Sequence, residues 1–211
     1  MPLYKTITPN NTTTVLIWKI NESYEDLCEG ITLTEYCQNR VDNMKSEMHR
    51  KGFMSVRHLL AIFGYTDHDL YYDEFGKPHL KDGNQISITH SYEFVGVIVS
   101  DKPVGIDIEK QREKINKIAH KFTNQGENEY MHDLNLDETR ALTIIWGAKE
   151  SLYKLYATAG LSFKDHIYIS QFSLKIPIIY GAIFYQEKKS EYEMSFVEFE
   201  GFTCVYVLPA S

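Results

Sequence analysis

The 211-residue chain contains no apolar run near the roughly 18 residues of a membrane-spanning helix. Its first twenty residues lack the charged-then-apolar order of a signal peptide. Cysteine is scarce: Cys28, Cys37 and Cys204 are far apart and form neither a CxxC pair nor a Cys/His cluster. That excludes a disulfide framework and a cysteine-based zinc site, and it fits a reducing, cytoplasmic setting. Positive charge is in deficit as well. Twenty-two Lys and Arg face 29 Asp and Glu, a net charge of −7, so the broad basic surface of a nucleic-acid-binding protein is missing. There is no Pro/Gly/Ser-rich linker, low-complexity tract or short repeat.

What is present suffices for a sizeable core. Hydrophobic residues make up 43% of the chain, enough for one domain or two closely packed halves of about 100 residues. Thr14 to Ile20 is β-branched and aromatic and predicts a strand. Thr32 and Glu35 have capping-box spacing. They precede apolar Met44, Met48, Val56, Leu59, Leu60 and Phe63 at helical intervals, up to Gly64. Gly52 leaves open whether that run is a single unbroken helix. Three short strands follow, Ile86 to Thr89, Phe94 to Val99 and Val104 to Glu109; a turn at Ser100 to Pro103 joins the last two into a meander. A polar helix is expected from Lys110 to Lys121. A longer one runs from Glu138 to Ala159, with Asp137 as N-cap, Gly160 as C-cap and a core stripe of Leu142, Ile145, Leu152 and Leu155. Strands at His166 to Phe172, Ile178 to Tyr185, Tyr192 to Phe199 and Phe202 to Leu208 complete an α+β pattern.

Four short segments could carry chemistry. In Val104-Gly105-Ile106-Asp107-Ile108-Glu109 the two carboxylates fall on one strand face, their Cα atoms roughly 6.5 to 7 Å apart, with open space expected beside Gly105. Oxygen-only ligands suit magnesium, which keeps waters and takes substrate phosphates. Alone, such a pattern arises more often from a strand that turns two acids to water. In Trp146-Gly147-Ala148-Lys149-Glu150-Ser151-Leu152-Tyr153-Lys154, residues Trp146, Glu150 and Lys154 share a helical stripe. Glu150 could add a third carboxylate and Lys154 a phosphate contact; an exposed Glu–Lys pair is the ordinary alternative. Ser87-Ile88-Thr89-His90-Ser91 ends a strand in a polar turn where His90 could donate to phosphate, or simply satisfy local backbone. Ser91 lacks the partners of a hydrolytic triad. Phe75-Gly76-Lys77-Pro78 reads as a turn with an exposed lysine, where a flat ring or phosphate could dock.

In order and spacing, GKP, SITHS, VGIDIE and WGAKESLYK resemble the motifs of the 4′-phosphopantetheinyl transferase superfamily, in its larger pseudo-dimeric type. Thr89 departs from that pattern, standing where the family usually has serine. The resemblance implies two similar α/β halves related by a pseudo-twofold, residues 1–103 and 104–211, each with antiparallel strands on a long helix. It implies Asp107, Glu109 and Glu150 as magnesium ligands, and Lys154 and His90 as phosphate contacts. Gly76, Lys77, Pro78 and Thr89 would line the coenzyme A pocket beside Ser91. Arg57, in SVRHLL, would meet the 3′-phosphate, with Arg50 as a second candidate. Glu127 would be the general base, with Glu129 and metal-bound water as competitors.

The implied activity is transfer of phosphopantetheine from coenzyme A to a serine of an apo acyl or peptidyl carrier protein, leaving adenosine 3′,5′-bisphosphate. A monomer is expected, because two halves can form one cleft. The basic run Lys110, Arg112, Lys114, Lys117 and Lys121 offers a docking surface for an acidic carrier, or a solvated helix face. A magnesium-dependent nucleotide hydrolase and a non-catalytic coenzyme A or carrier binder share the same features.

Overall fold

The computed structural model describes residues 3–133, 137–173 and 175–209; the outer limits of the two expected halves, residues 1 and 211, lie outside them. The chain divides into two compact units, one ending at Asp101 and one beginning at Lys102.

In the first unit, strands β1 (Leu3–Asn10) and β2 (Thr13–Lys19) are followed by helices α1 (Tyr24–Cys28), α2 (Glu35–Asp42) and α3 (Glu47–Ile62). Next come the short hairpin β3 (Leu70–Tyr72) and β4 (Pro78–Leu80), then β5 (Gln85–Ser91) and β6 (Phe94–Ser100). The four longer strands form an antiparallel sheet in the order β1-β2-β6-β5. Leu16, Trp18, Val95, Val97 and Val99, spaced two apart on β2 and β6, share one core with Val56, Leu59 and Leu60 of α3. The helical stretch after Thr32 is two helices. Thr34, not Thr32, caps α2 by accepting from the Cys37 N–H (3.3 Å), and Ser46 restarts the helix as α3 by accepting from the His49 N–H. Gly52 does not break α3. Just past that helix, Gly64 takes φ +84°, a conformation that suits glycine.

The second unit contains β7 (Gly105–Lys110), α4 (Lys114–Ile118), a 3₁₀ turn over Ala119–Lys121, α5 (Gln125–Asp133), α6 (Glu138–Tyr156), β8 (Ile167–Ile169), β9 (Ile178–Tyr185), β10 (Lys188–Phe199) and β11 (Phe202–Pro209). Its antiparallel sheet runs β7-β11-β10-β9-β8. The expected meander is corrected here: β5 and β6 pair, but β7 pairs with β11, Asp107 opposite Val205. Asp101-Lys102 offers no glycine or asparagine for a tight hairpin turn, and Pro103 has no N–H to give a ladder. The segment therefore carries the chain from one sheet to the other.

Helix α6 begins as expected, with Asp137 accepting from the Arg140 N–H (3.1 Å). It ends earlier than expected, at Ala157 in a left-handed conformation (φ 49°), so Gly160 is not its cap. Leu142, Ile145, Leu152 and Leu155 are all buried against the sheet core of Val205, Val207, Ile179 and Met194.

The helix rests on β7 through a glycine. A Cβ on Gly105 would lie 2.0 Å from the Ser151 carbonyl oxygen and 3.1 Å from Val207 Cγ1. Gly105→Ala is therefore expected to cost about 3 kcal/mol, lowering Tm by about 6–12 °C. Gly126→Ala, whose Cβ would meet only Asn124 Oδ1 at 3.6 Å, should leave Tm unchanged or slightly raised. Equal melting of the two variants would show that the close approach is not a constraint.

Candidate active site

Alternation on β7 turns Gly105, Asp107 and Glu109 toward α6, and the expected stripe of that helix meets them. Lys154 Nζ donates to Asp107 Oδ1 (2.7 Å) and to the Ile106 carbonyl (3.0 Å), while Trp146 Nε1 donates to Glu109 Oε1 (3.1 Å). Asp107 is only 5% exposed, so this is not a strand face turned to water. The space expected beside Gly105 is filled by the backbone of α6. Gly147 serves the same approach: a Cβ there would lie 3.0 Å from Val205 and 3.8 Å from Asp107 Oδ2. Lys154 is engaged as a counter-charge to Asp107, rather than held out for a phosphate.

Glu150, between Trp146 and Lys154 on that stripe, feels the two β7 carboxylates. Burial first, then the Asp107 charge and more weakly Glu109, push its carboxyl up to about 7 against the opposing pull of Lys154. Glu109 is also raised, by burial and then by Asp107, with the Trp146 hydrogen bond opposing. Three acids thus share one field. Among the described residues no three His, Cys, Asp or Glu side chains converge closely enough to hold a metal ion. The donor set nevertheless fits a hard divalent cation in its chemistry, since all three ligands are oxygens whose mutual repulsion such an ion would offset.

Glu127 has a different place from the one expected of a base. It is 1% exposed and forms a capping box for α5: the Asn124 N–H donates to Glu127 Oε2 (3.0 Å), and the Glu127 N–H to Asn124 Oδ1 (2.9 Å). Oε1 accepts from the Ile169 N–H (2.9 Å), and Oε2 pairs with Lys149 Nζ at 2.8 Å. No oxygen is presented to a substrate. Glu129, the competitor, is exposed and accepts from Gln125 Nε2. It lines a cleft of about 370 Å³ with Thr123, Asn124, Asn128, His132 and Lys164. Lys149 was not singled out by the sequence. The Asn124–Glu127 capping-box spacing was the available signal that Glu127 has a structural role.

In the first unit, Arg57 is likewise internal. Its Nε donates to Asp67 Oδ1 (2.8 Å), NH1 to the Phe53 carbonyl and NH2 to Cys37 Sγ; Asp67 also accepts from the N–H and hydroxyl of Thr34. At 2% exposure this guanidinium serves as a structural tie. Arg50, the second candidate, differs: among the described residues its buried Nε has no hydrogen-bond partner, and its guanidinium lies over Tyr24. His90 Nε2 is also buried without a partner among the described residues, and burial, then the His49 charge, hold its imidazole below the usual range. Gly52 gives that ring its seat, since a Cβ there would lie 2.7 Å from it. Thr89 and Ser91 are buried. Gly76, at φ +83°, Lys77 and Pro78 form the β3–β4 turn around Asp73, which accepts from the Phe75 and Lys77 N–H groups. Lys77 is half-buried rather than exposed, and burial lowers its pKa.

Residues 103–206 match the family model of the 4′-phosphopantetheinyl transferase superfamily, a span that takes in β7 and α6 with all three carboxylates. The match to that superfamily thus lies in the second unit. Among curated proteins it is similar to the 4′-phosphopantetheinyl transferase gsp of Aneurinibacillus migulanus, 29% identical over 152 residues, covering 70% of this chain and 62% of that protein. It is also similar to a 4′-phosphopantetheinyl transferase of Bacillus subtilis, 34% identical over 92 residues, 42% of this chain and 41% of that one. The matched stretch thus spans less than two thirds of either relative.

Because the folded-state pKa of Glu150 is raised, its ionisation destabilises the fold above about pH 7, and the penalty disappears as pH falls toward the ordinary carboxyl range. Glu150→Gln should therefore raise Tm at pH 8 and leave it unchanged at pH 5. Magnesium at ten times its Kd should add about 1.4 kcal/mol, or about 3–6 °C, to the wild type at pH 8 and little to Glu150→Gln. No magnesium-dependent shift in differential scanning fluorimetry would remove the carboxylates from a cation role.

Proposed function

We propose that this chain transfers the 4′-phosphopantetheine arm of coenzyme A to a serine of an apo acyl or peptidyl carrier protein and releases adenosine 3′,5′-bisphosphate. The observation that carries the reading is the set of three mutually repelling carboxyls, Asp107, Glu109 and Glu150, facing each other across β7 and α6 within the span that matches the family. In the reaction the serine oxygen bonds to the β-phosphorus, the bond from that phosphorus to the bridging oxygen breaks, and the serine proton leaves to a base or to water. Asp107, Glu109 and Glu150 would hold magnesium, which when bound supplies charge stabilisation at the pyrophosphate. Trp146 fixes the Glu109 carboxylate, and Lys154 limits the repulsion at Asp107. The unpartnered nitrogens of His90 and Arg50 are suited to phosphate oxygens, and the Gly76-Lys77-Pro78 turn to the adenine side. Glu127 is not proposed as the base.

A long helix backed by an antiparallel sheet in each unit supports the larger, two-halved type; a cytoplasmic monomer is proposed with it. The carrier would dock at 110–121, where Arg112, Lys114, Lys117 and Lys121 are exposed on a chain of net charge −7. Charge reversal at Lys114 and Lys117 together should raise the KM for carrier about tenfold with kcat within twofold; an unchanged KM would remove this surface from docking.

The activity test is the intact mass of apo acyl and apo peptidyl carrier proteins after incubation with coenzyme A and magnesium. A gain of about 340 Da, absent with Asp107→Ala, is expected on at least one carrier. Release of adenosine bisphosphate without any carrier would identify a hydrolase instead. Coenzyme A binding with no gain on any carrier would identify a non-catalytic binder.

A further inference from the structure

Helix α6 presents Glu150 to β7, and a helix face is only as well aimed as its rotation about its own axis, which advances about 100° per residue. The residue before Glu150 is Lys149, whose side chain is fully buried. Its ammonium donates to the carbonyls of Phe122 (2.7 Å), Phe163 (2.9 Å) and Ile167 (2.8 Å) and pairs with Glu127 (2.8 Å). Those carbonyls come from the turn before α5, the loop after α6 and β8. Glu127 in turn holds the start of α5 through the Asn124 N–H and β8 through the Ile169 N–H. The residue after Glu150 is pinned too: Ser151 Oγ donates to the Val205 carbonyl (2.9 Å), and the Ser151 carbonyl abuts Gly105. Glu150 is thus the unanchored residue between two anchored ones.

A buried ion pair is weak evidence for stability, since apolar residues of similar volume often serve as well. A leucine at 149 would fill the space but would not set the rotation of α6. Four acceptors arranged around one ammonium do set it. We infer that Lys149 and Glu127 are positioning residues, a buried pair that fixes α6 so that Glu150 faces Asp107 and Glu109.

This inference rests on the cation reading of those carboxylates, and it differs from a base role for Glu127 in what it expects of metal affinity. The test measures Mn²⁺ affinity by electron paramagnetic resonance without coenzyme A, together with Tm, kcat and KM for carrier modification, on wild type, Glu127→Gln, Lys149→Met and the double variant. Each single variant should weaken Mn²⁺ about tenfold. The double variant should be no worse than the poorer single, because losing either partner already releases the other. Glu127→Asp, which keeps the charge but shortens the reach, should fall between and keeps the test available if Lys149→Met does not fold. If Glu127→Gln keeps wild-type Mn²⁺ affinity and loses kcat about 100-fold or more, the residue is a base and the inference fails. It also fails if folded variants lose only Tm. Wild type that binds Mn²⁺ without modifying any carrier would contradict the transferase reading alone.

Discussion

The contact between α6 and β7 sets the terms for the rest of the second unit. With no Cβ on Gly105, the Ser151 carbonyl comes within what would be clash distance of the strand, and Gly147 relieves the same crowding against Val205. Only at that spacing can Lys154 reach Asp107, Trp146 reach Glu109, and the Glu150 carboxyl feel both acids. The arrangement is costly when unliganded: three carboxyls are drawn out of water toward one another, and two of them are held above their usual range. A fold optimised for stability alone would not gather them. A site that receives a hard cation and a pyrophosphate would, because the ion changes the repulsion into attraction.

Two buried ion pairs organise the remainder, one in each unit. Arg57–Asp67 ties α3 to the 3₁₀ turn before β3 and, through Thr34, to the start of α2. Lys149–Glu127 ties α6 to α5 and β8. The Arg57 guanidinium meets Asp67, the Phe53 carbonyl and Cys37 Sγ, and the Lys149 ammonium meets three carbonyls and Glu127; such partners are what make a buried charge tolerable. Both also contain a residue that resemblance alone would send to the substrate. A charged residue inside a familiar motif can be there to hold the site rather than to touch what enters it.

Much of this was legible in the sequence where the signal was local. Strand-like runs located β2, β5, β6, β7 and β9 to within a residue or two, and Asp137 marked the start of α6. The period of two on β7 and of nearly four on α6 correctly put Asp107 with Glu109 and Trp146 with Glu150 and Lys154 on common faces. Information that depends on distant partners was not legible. That β7 pairs with β11 rather than β6 is set by residues about a hundred positions away, and the filling of the space beside Gly105 by Ser151 on a separate helix. Helix α5 escaped notice because Glu127, which closes its capping box, was read as a general base. The burial of Arg57 could not be foreseen without knowing that Asp67 and Cys37 meet it.

The central claim is that β7 and α6 together form a divalent-cation site from Asp107, Glu109 and Glu150. The most direct measurement is a crystal structure of the protein with Mn²⁺ and coenzyme A, using anomalous scattering to locate the metal. The account predicts a peak about 2.1 Å from carboxylate oxygens of all three residues. A metal bound elsewhere, or a coenzyme A complex whose pyrophosphate lies away from these carboxylates, would contradict it.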